Sequence, residues 1–288
     1  MSSKVEDWTV LSMLEWATEY FQEKGIPDPR HSIEWLLAET LGIQRLDLYL
    51  KYDRPLSSSE LSTLRPLVKR RAKHEPLQYI IGFTDFMNAR ISVTEDVLIP
   101  RLETEQLVEI ILDHHPDESD SLAVLDIGTG SGCIPIALKM ERPEWQVSGM
   151  DLSQKALEIA RANARQNEVE VAFTEGDILS PGVMHIDQPL DIIVSNPPYI
   201  KPEEKDTLEP QVREYEPDLA LYSEDLEKMY GNIIRFSEKN LVESGALFLE
   251  LHENYSEQIF ALFKTDKWTA NIRKDYDQKP RFIIAQRR

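Results

Sequence analysis

Residues 123–132 read Ala-Val-Leu-Asp-Ile-Gly-Thr-Gly-Ser-Gly, an apolar run that breaks directly into three alternating glycines. A short β-branched run bounded by glycine predicts a strand with no solvent face, the kind found inside a parallel sheet. Glycine then gives the turn access to positive φ and lets the backbone come close to a bound molecule. A tight strand-to-helix turn without a ligand seldom needs three of them. The spacing Gly128-x-Gly130-x-Gly132 differs from the dinucleotide fingerprint Gly-x-Gly-x-x-Gly, because the third glycine arrives one residue early. That disfavours a pyrophosphate cradle.

Strands and helices alternate beyond this turn. Strands are expected at 147–150, 169–173 and 190–194, closed in turn by Asp151, by Gly176-Asp177 and by Asn196-Pro197-Pro198-Tyr199. Helices are expected from near Ile134, where Pro135 is tolerated in the first turn, and from Ser153 through Leu157, Ile159, Ala160 and Ala164. A helix at 226–241, a strand at 246–251, a helix at 255–263 and strands at 268–272 and 281–285 complete the set. The pattern predicts an α/β fold, a doubly wound sheet with helices on both faces.

Ahead of it the periodicity is helical. Residues 5–21 space Trp8, Leu11, Leu14 and Ala17 by three and four, and Gly25-Ile26-Pro27-Asp28-Pro29 ends that run. Residues 31–41 put Ile33, Leu36, Leu37 and Leu41 on one face and stop at Gly42, a C-cap residue. Ser57 and Glu60 match a capping box opening a third helix that reaches Arg71. Aromatic and β-branched residues around Gly82 and Asn88 predict a β-hairpin. The expected organisation is a helical bundle at 1–75 that docks substrate, a hairpin linker at 76–100 and a catalytic domain at 101–288. The third helix carries Arg65, Lys69, Arg70, Arg71 and Lys73. A solvated helix face and a docking surface both fit that cluster.

Charge narrows the substrate class. Residues 1–90 hold 12 Lys/Arg against 13 Asp/Glu, whereas residues 91–288 hold 20 against 38, a net of −18. Affinity for a phosphate backbone comes from Lys and Arg displacing counterions, so a catalytic half this acidic argues against a nucleic-acid substrate. The single cysteine, Cys133, and six scattered histidines argue against a multi-thiolate metal site. The lone cysteine also fits a reducing cytoplasm. No apolar run approaches the ~18 residues of a membrane helix, and the N-terminus lacks a signal-peptide pattern.

Three positions carry the chemistry. Asp151 lies 19 residues after Gly132, at a strand end where a carboxylate can accept both hydroxyl hydrogens of a ribose. NAD and S-adenosylmethionine both present one. Asp177 can accept from an adenine amino group or can be a surface turn residue. Asn196-Pro197-Pro198-Tyr199 is more discriminating. Two prolines fix φ and leave only carbonyl acceptors, and Asn196 adds another carbonyl. Such a rigid acceptor-rich rim suits a planar group bearing NH2.

Together, Asp126-Ile-Gly-Thr-Gly-Ser-Gly132, Asp151 and Asn196-Pro-Pro-Tyr199 resemble a class I S-adenosylmethionine-dependent methyltransferase with a Rossmann-like sheet, acting on an amide or exocyclic nitrogen. Pro76-Leu77-Gln78-Tyr79-Ile80-x-Gly82, Leu98-Ile99-Pro100-Arg101-x-Glu103-Thr104-Glu105 and Tyr215-Glu216-Pro217-x-x-Ala220-Leu221 narrow the resemblance to the peptide chain release factor glutamine methyltransferases, the PrmC/HemK family. Leu102 stands where the family usually has proline, Asn88 replaces a glycine, and Glu250-Leu251-His252 lacks the glycine after the acid.

The resemblance implies S-adenosyl-L-methionine as cofactor and S-adenosyl-L-homocysteine as product. It assigns the cofactor to Gly128, Thr129, Gly130, Ser131, Gly132, Asp151, Asp177, Ile178 and Asn196. It assigns the substrate and the catalysis to Asn196, Pro197, Pro198 and Tyr199, with Tyr199 packing against the flat amide. The implied substrate is the glutamine of the Gly-Gly-Gln motif in bacterial class I release factors, the implied partner a release factor, and a monomer is expected. A nucleic-acid amino methyltransferase, acting on adenine N6 or guanine N2, is the alternative that shares the Asn-Pro-Pro-Tyr solution.

Overall fold

Thr9 and Ser12 start the first helix by capping one another: the Ser12 N–H donates to Thr9 Oγ1 at 3.2 Å and the Thr9 N–H donates to Ser12 Oγ at 2.9 Å. Helix α1 (Val10–Glu23) therefore begins at Val10, with Thr9 extended. The expected start at Val5 falls outside the described residues. The computed structural model describes residues 8–117, 119, 121–180 and 188–288.

Helix α2 (Pro29–Leu41) ends at Gly42 with φ of 62°, as its sequence predicts. Helix α3 (Ser58–Arg71) opens with the expected capping box: the Ser57 N–H donates to Glu60 Oε2 at 2.8 Å. Val10, Leu14, Ala17 and Phe21 of α1 bury against Ile33, Leu36 and Leu37 of α2 and Leu64 and Val68 of α3. A short helix α4 (Leu77–Ile81) follows, because Pro76 fixes its first turn and Gly82, at φ of 87°, ends it. The hairpin is accordingly shorter than the 76–100 linker, pairing β1 (Phe83–Phe86) with β2 (Ala89–Ser92). Among the described residues, those up to 82 together with 209–215 form one compact unit, and those of 83–208 and 216–288 form the other.

The second unit runs α5 (Leu102–His114), β3 (Ala123–Ile127), α6 (Cys133–Glu141), β4 (Gln146–Asp151), α7 (Gln154–Gln166), β5 (Ala172–Glu175) and β6 (Leu190–Ser195). Helix α8 (Pro210–Tyr215) belongs to the first unit. Helix α9 (Asp218–Leu221), α10 (Leu226–Asn240), β7 (Leu241–Glu250), α11 (Ser256–Phe260), β8 (Trp268–Lys274) and β9 (Pro280–Arg287) complete the second unit. β5 starts later than the expected 169–173, because the Val169 N–H turns back to the Ala164 carbonyl and closes α7. β7 starts earlier than the expected 246, at Leu241, through an irregularity opposite β6. The expected 255–263 helix is α11 flanked by 3-10 turns.

The strand order is β5-β4-β3-β6-β7-β9-β8, parallel from β5 through β7 and antiparallel at β7–β9–β8. Leu125, Ile127, Ile193, Leu247 and Leu249 pack one face against Tyr230, Ile233 and Ile234 of α10. Phe248 points to the opposite face, where it meets His114 of α5. The chain winds outward from β3 through β4 and β5, then returns to β6 on β3's other side. The carboxyl ends of β3 and β6 are thus a topological switch point, where open α/β sheets bind ligands.

Candidate active site

A cavity of about 460 Å³ opens at that switch point, within the usual ~300–1,000 Å³ of small-molecule sites. Gly128 and Gly130 follow β3, Asp151 ends β4, Asp177 and Ile178 follow β5, and Asn196, Pro197 and Pro198 follow β6; all border it. The buried Ser195 hydroxyl donates to the Ile127 carbonyl at 2.6 Å, tying the two central strand ends together.

The glycines divide by role. Gly128 (φ of 75°) and Gly130 (φ of 54°) are left-handed, and a Cβ on either would meet nothing within 4 Å, so a side chain there would stand in the cavity's open space. A Cβ on Gly132 would come within 3.0 Å of Ala160, which makes that glycine a packing requirement between turn and α7. Thr129 and Ser131 are buried and lie outside the cavity lining. Of the five turn residues expected to hold cofactor, two border the cavity and three support the turn from behind.

Asp151 accepts from the Gly130 N–H and from the Ser153 N–H, each at 2.8 Å. Burial pushes its carboxyl up, and those backbone donors oppose the shift. Asp177 caps its own turn through the Leu179 N–H at 2.8 Å. Asp126 is fully buried behind the glycine turn and pushed up to about 7 by desolvation, with the Thr129 hydroxyl opposing and Asp151 reinforcing the shift. The cradle fits S-adenosylmethionine on its own geometry: open space over two left-handed glycines, one carboxylate at the end of β4 and one after β5, and apolar Leu152, Ile178 and Leu179 in the same lining.

Asn196 and Tyr199 meet two residues that sequence reasoning left without a role. The Asn196 Nδ2 donates to Thr104 Oγ1 at 3.1 Å, and that hydroxyl donates to Glu250 Oε2 at 2.8 Å. The Tyr199 hydroxyl donates to Glu250 Oε1 at 3.4 Å, and its ring packs against His252 rather than lining the cavity. Burial pushes Glu250 up to about 7 and pushes Tyr199 above its ordinary range. Both residues had a sequence signal, since Thr104 lies in the Arg101–Glu105 motif and Glu250 is the acid before Leu251-His252.

A second tie closes the rim. Arg101 pairs with the buried Glu216 at 2.5 Å, and Glu216 also accepts from the Ile99 N–H at 3.4 Å. Leu98 precedes Ile99 and Pro217 follows Glu216 in the chain, and both border the cavity together with Leu219 and Ala220. Burial raises Glu216, while Arg101 pulls it back down.

Residues 12–82 match the family described as the PrmC N-terminal domain, and residues 103–212 match the methyltransferase small domain. A release factor glutamine methyltransferase of Geobacter sulfurreducens is 42% identical over 91% of this chain and 91% of its own length. This chain belongs to the release factor glutamine methyltransferase family. The Chlorobaculum tepidum member is 38% identical over 95% of this chain and 96% of its own length. A methyltransferase of Pyrococcus furiosus superposes with a TM-score of 0.50 at 16% identity, covering 69% of this chain and 88% of that one, which supports the class I methyltransferase fold. The chain is therefore an S-adenosylmethionine-dependent methyltransferase, and its family favours the amide over the nucleic-acid amine. Among the described residues no helix is long and apolar enough to cross a membrane.

The basic cluster of the first unit is smaller than its sequence suggests. Arg71 is buried and donates to the Ser32 hydroxyl, the Glu75 and Pro27 carbonyls and Gln211 Oε1; desolvation lowers it to about 10. Arg70 forms a two-pronged pair with Glu75 at 2.8 and 2.5 Å. Arg65, Lys69 and Lys73 remain exposed.

Proposed function

We propose that this chain methylates the side-chain amide nitrogen of the glutamine in the Gly-Gly-Gln motif of class I release factors. The observation that carries this reading is the polarity of Asn196. Its NH2 end is committed to Thr104, which leaves its carbonyl end to accept from an incoming NH2 at the cavity wall.

An amide nitrogen is a poor nucleophile because its lone pair is delocalised into the carbonyl. The Asn196 Oδ1 and the Pro197 carbonyl accept the two N–H bonds and direct the nitrogen into the cavity. Pro198 stiffens the rim, and Tyr199 closes it beside His252. S-adenosylmethionine, when bound, supplies a sulfonium methyl and leaves as S-adenosylhomocysteine. The nitrogen forms one N–C bond and then loses a proton to water, so no strong base is required. Gly128, Gly130, Asp151, Asp177 and Ile178 would hold the cofactor. Orientation of the two reactants can contribute roughly 7–11 kcal/mol, and a preorganised dipole about 3 kcal/mol.

We assign the first unit to substrate docking through Arg65, Lys69 and Lys73, and the enzyme acts as a monomer in the cytoplasm. Labelled S-adenosylmethionine offered to a purified release factor and to ribosomal RNA tests the reading. Label in the protein supports it, and label in the RNA alone overturns it.

A further inference from the structure

Thr104 sits in the first turn of α5 and Glu250 ends β7, on the sheet face that α5 covers. A hydroxyl has one hydrogen, and that of Thr104 is spent on Glu250 Oε2 at 2.8 Å whenever that oxygen carries no proton, as in the carboxylate that prevails above about pH 7. What Thr104 offers Asn196 is therefore a lone pair, and only the NH2 end of the Asn196 amide can satisfy it, as it does at 3.1 Å. Thr104 is 3% exposed and Glu250 1%, so water does not substitute for either partner. Glu250 is itself held in place, because the Tyr230 hydroxyl donates to its backbone carbonyl at 2.9 Å and the Tyr199 hydroxyl reaches Oε1 at 3.4 Å.

We propose that Thr104 and Glu250 are positioning residues that set the polarity of the Asn196 side chain, turning its carbonyl toward the substrate nitrogen. The inference rests on the amide-methylation reading and deepens it. A reversed Asn196 would set its own NH2 against the substrate NH2, two donors facing each other with no acceptor between them. Neither Thr104 nor Glu250 touches substrate; both act through Asn196. Tyr199 contributes from behind the rim as well, since it and Thr104 occupy the two oxygens of one carboxylate.

The test compares Thr104→Val, Thr104→Ser, Glu250→Leu and Glu250→Gln for kcat on a Gly-Gly-Gln peptide and for S-adenosylhomocysteine affinity by calorimetry. Losing one buried hydrogen bond predicts a kcat for Thr104→Val lower by about tenfold or more, with product affinity changed less than about twofold. Thr104→Ser keeps the hydroxyl and recovers most of the loss. Glu250→Leu falls in the same way, and Glu250→Gln, which keeps a carbonyl acceptor, recovers it. Equal kcat for the Val and Ser variants, or product affinity falling in step with kcat, overturns the proposal. Should Thr104→Val fail to fold, or the parent fail to methylate glutamine, NMR of the parent still decides. The Asn196 side-chain resonance, assigned by its disappearance in Asn196→Ala, should show one slowly exchanging Nδ2 proton. Two protons exchanging at the rate of a free amide would rule out the lock.

Discussion

The Asn196 amide nitrogen donates to the Thr104 hydroxyl at 3.1 Å, across 92 residues of sequence, and this bond occupies the NH2 end of the Asn196 side chain. Asn196→Ala removes the accepting carbonyl while leaving the glycine turn and Asp151 untouched. Turnover should fall ~100-fold or more, in line with the loss of one preorganised group, while S-adenosylhomocysteine affinity stays nearly constant. Steady-state kinetics and calorimetry on the same preparation check the split.

Gly130 separates backbone need from side-chain packing. At φ of 54°, with nothing within 4 Å of an added Cβ, Gly130→Ala meets no clash, only the cost of a left-handed alanine and a methyl in the cradle. The left-handed alanine costs roughly 1–2 kcal/mol of folding stability, and the methyl standing in the cradle should separately weaken product affinity, as calorimetry would read. Gly132→Ala should lower the melting temperature further, because its left-handed alanine would also press on Ala160 at 3.0 Å.

Glu250 makes stability depend on pH. Burial holds it at about 7 in the folded protein, above its ordinary 4.5. Below about pH 4.5 both folded and unfolded states are protonated and burial of this group carries no charge penalty. Between there and about pH 7 only the unfolded state ionises, so stability falls as pH rises, by roughly 3 kcal/mol in all at 1.36 kcal/mol per unit. Glu250→Gln removes the ionisation. Its melting temperature should gain on the parent's more at about pH 8 than at about pH 6, as scanning calorimetry at both values would reveal.

The exposed basic residues of the first unit give a separable prediction. Reversing charge at Arg65, Lys69 and Lys73 should raise the apparent KM for an intact release factor several-fold and leave a short Gly-Gly-Gln peptide unaffected. Arg71 belongs outside that set. Its guanidinium joins Ser32, Pro27, Glu75 and Gln211, and Arg71→Glu should unfold the unit rather than weaken docking.

Much of this was legible from residue order alone, for identifiable reasons. The strand ending at Ile127, the glycine turn, Asp151 and the Asn196 rim all sit at strand ends, where apolar runs stop abruptly and glycine, proline or acid residues stand out. Thr104 and Glu250 were not legible as a pair, because their partnership depends on α5 lying over β7, a contact between residues 146 apart. Thr129, Ser131 and Gly132 share the turn's spacing with Gly128 and Gly130, yet spacing does not say that Gly128 and Gly130 border the cavity while Thr129 packs by Gly149 and Gly132 by Ala160. Arg71 looked like its basic neighbours since helical periodicity places charge without revealing what covers it.

Tandem mass spectrometry of a release factor after reaction, read at the Gly-Gly-Gln peptide, tests the central claim most directly. A single methyl on the glutamine side-chain nitrogen, present with the parent enzyme and nearly lost with Asn196→Ala, is the predicted result. A methyl found on another residue, or undiminished by Asn196→Ala, would contradict the amide clamp.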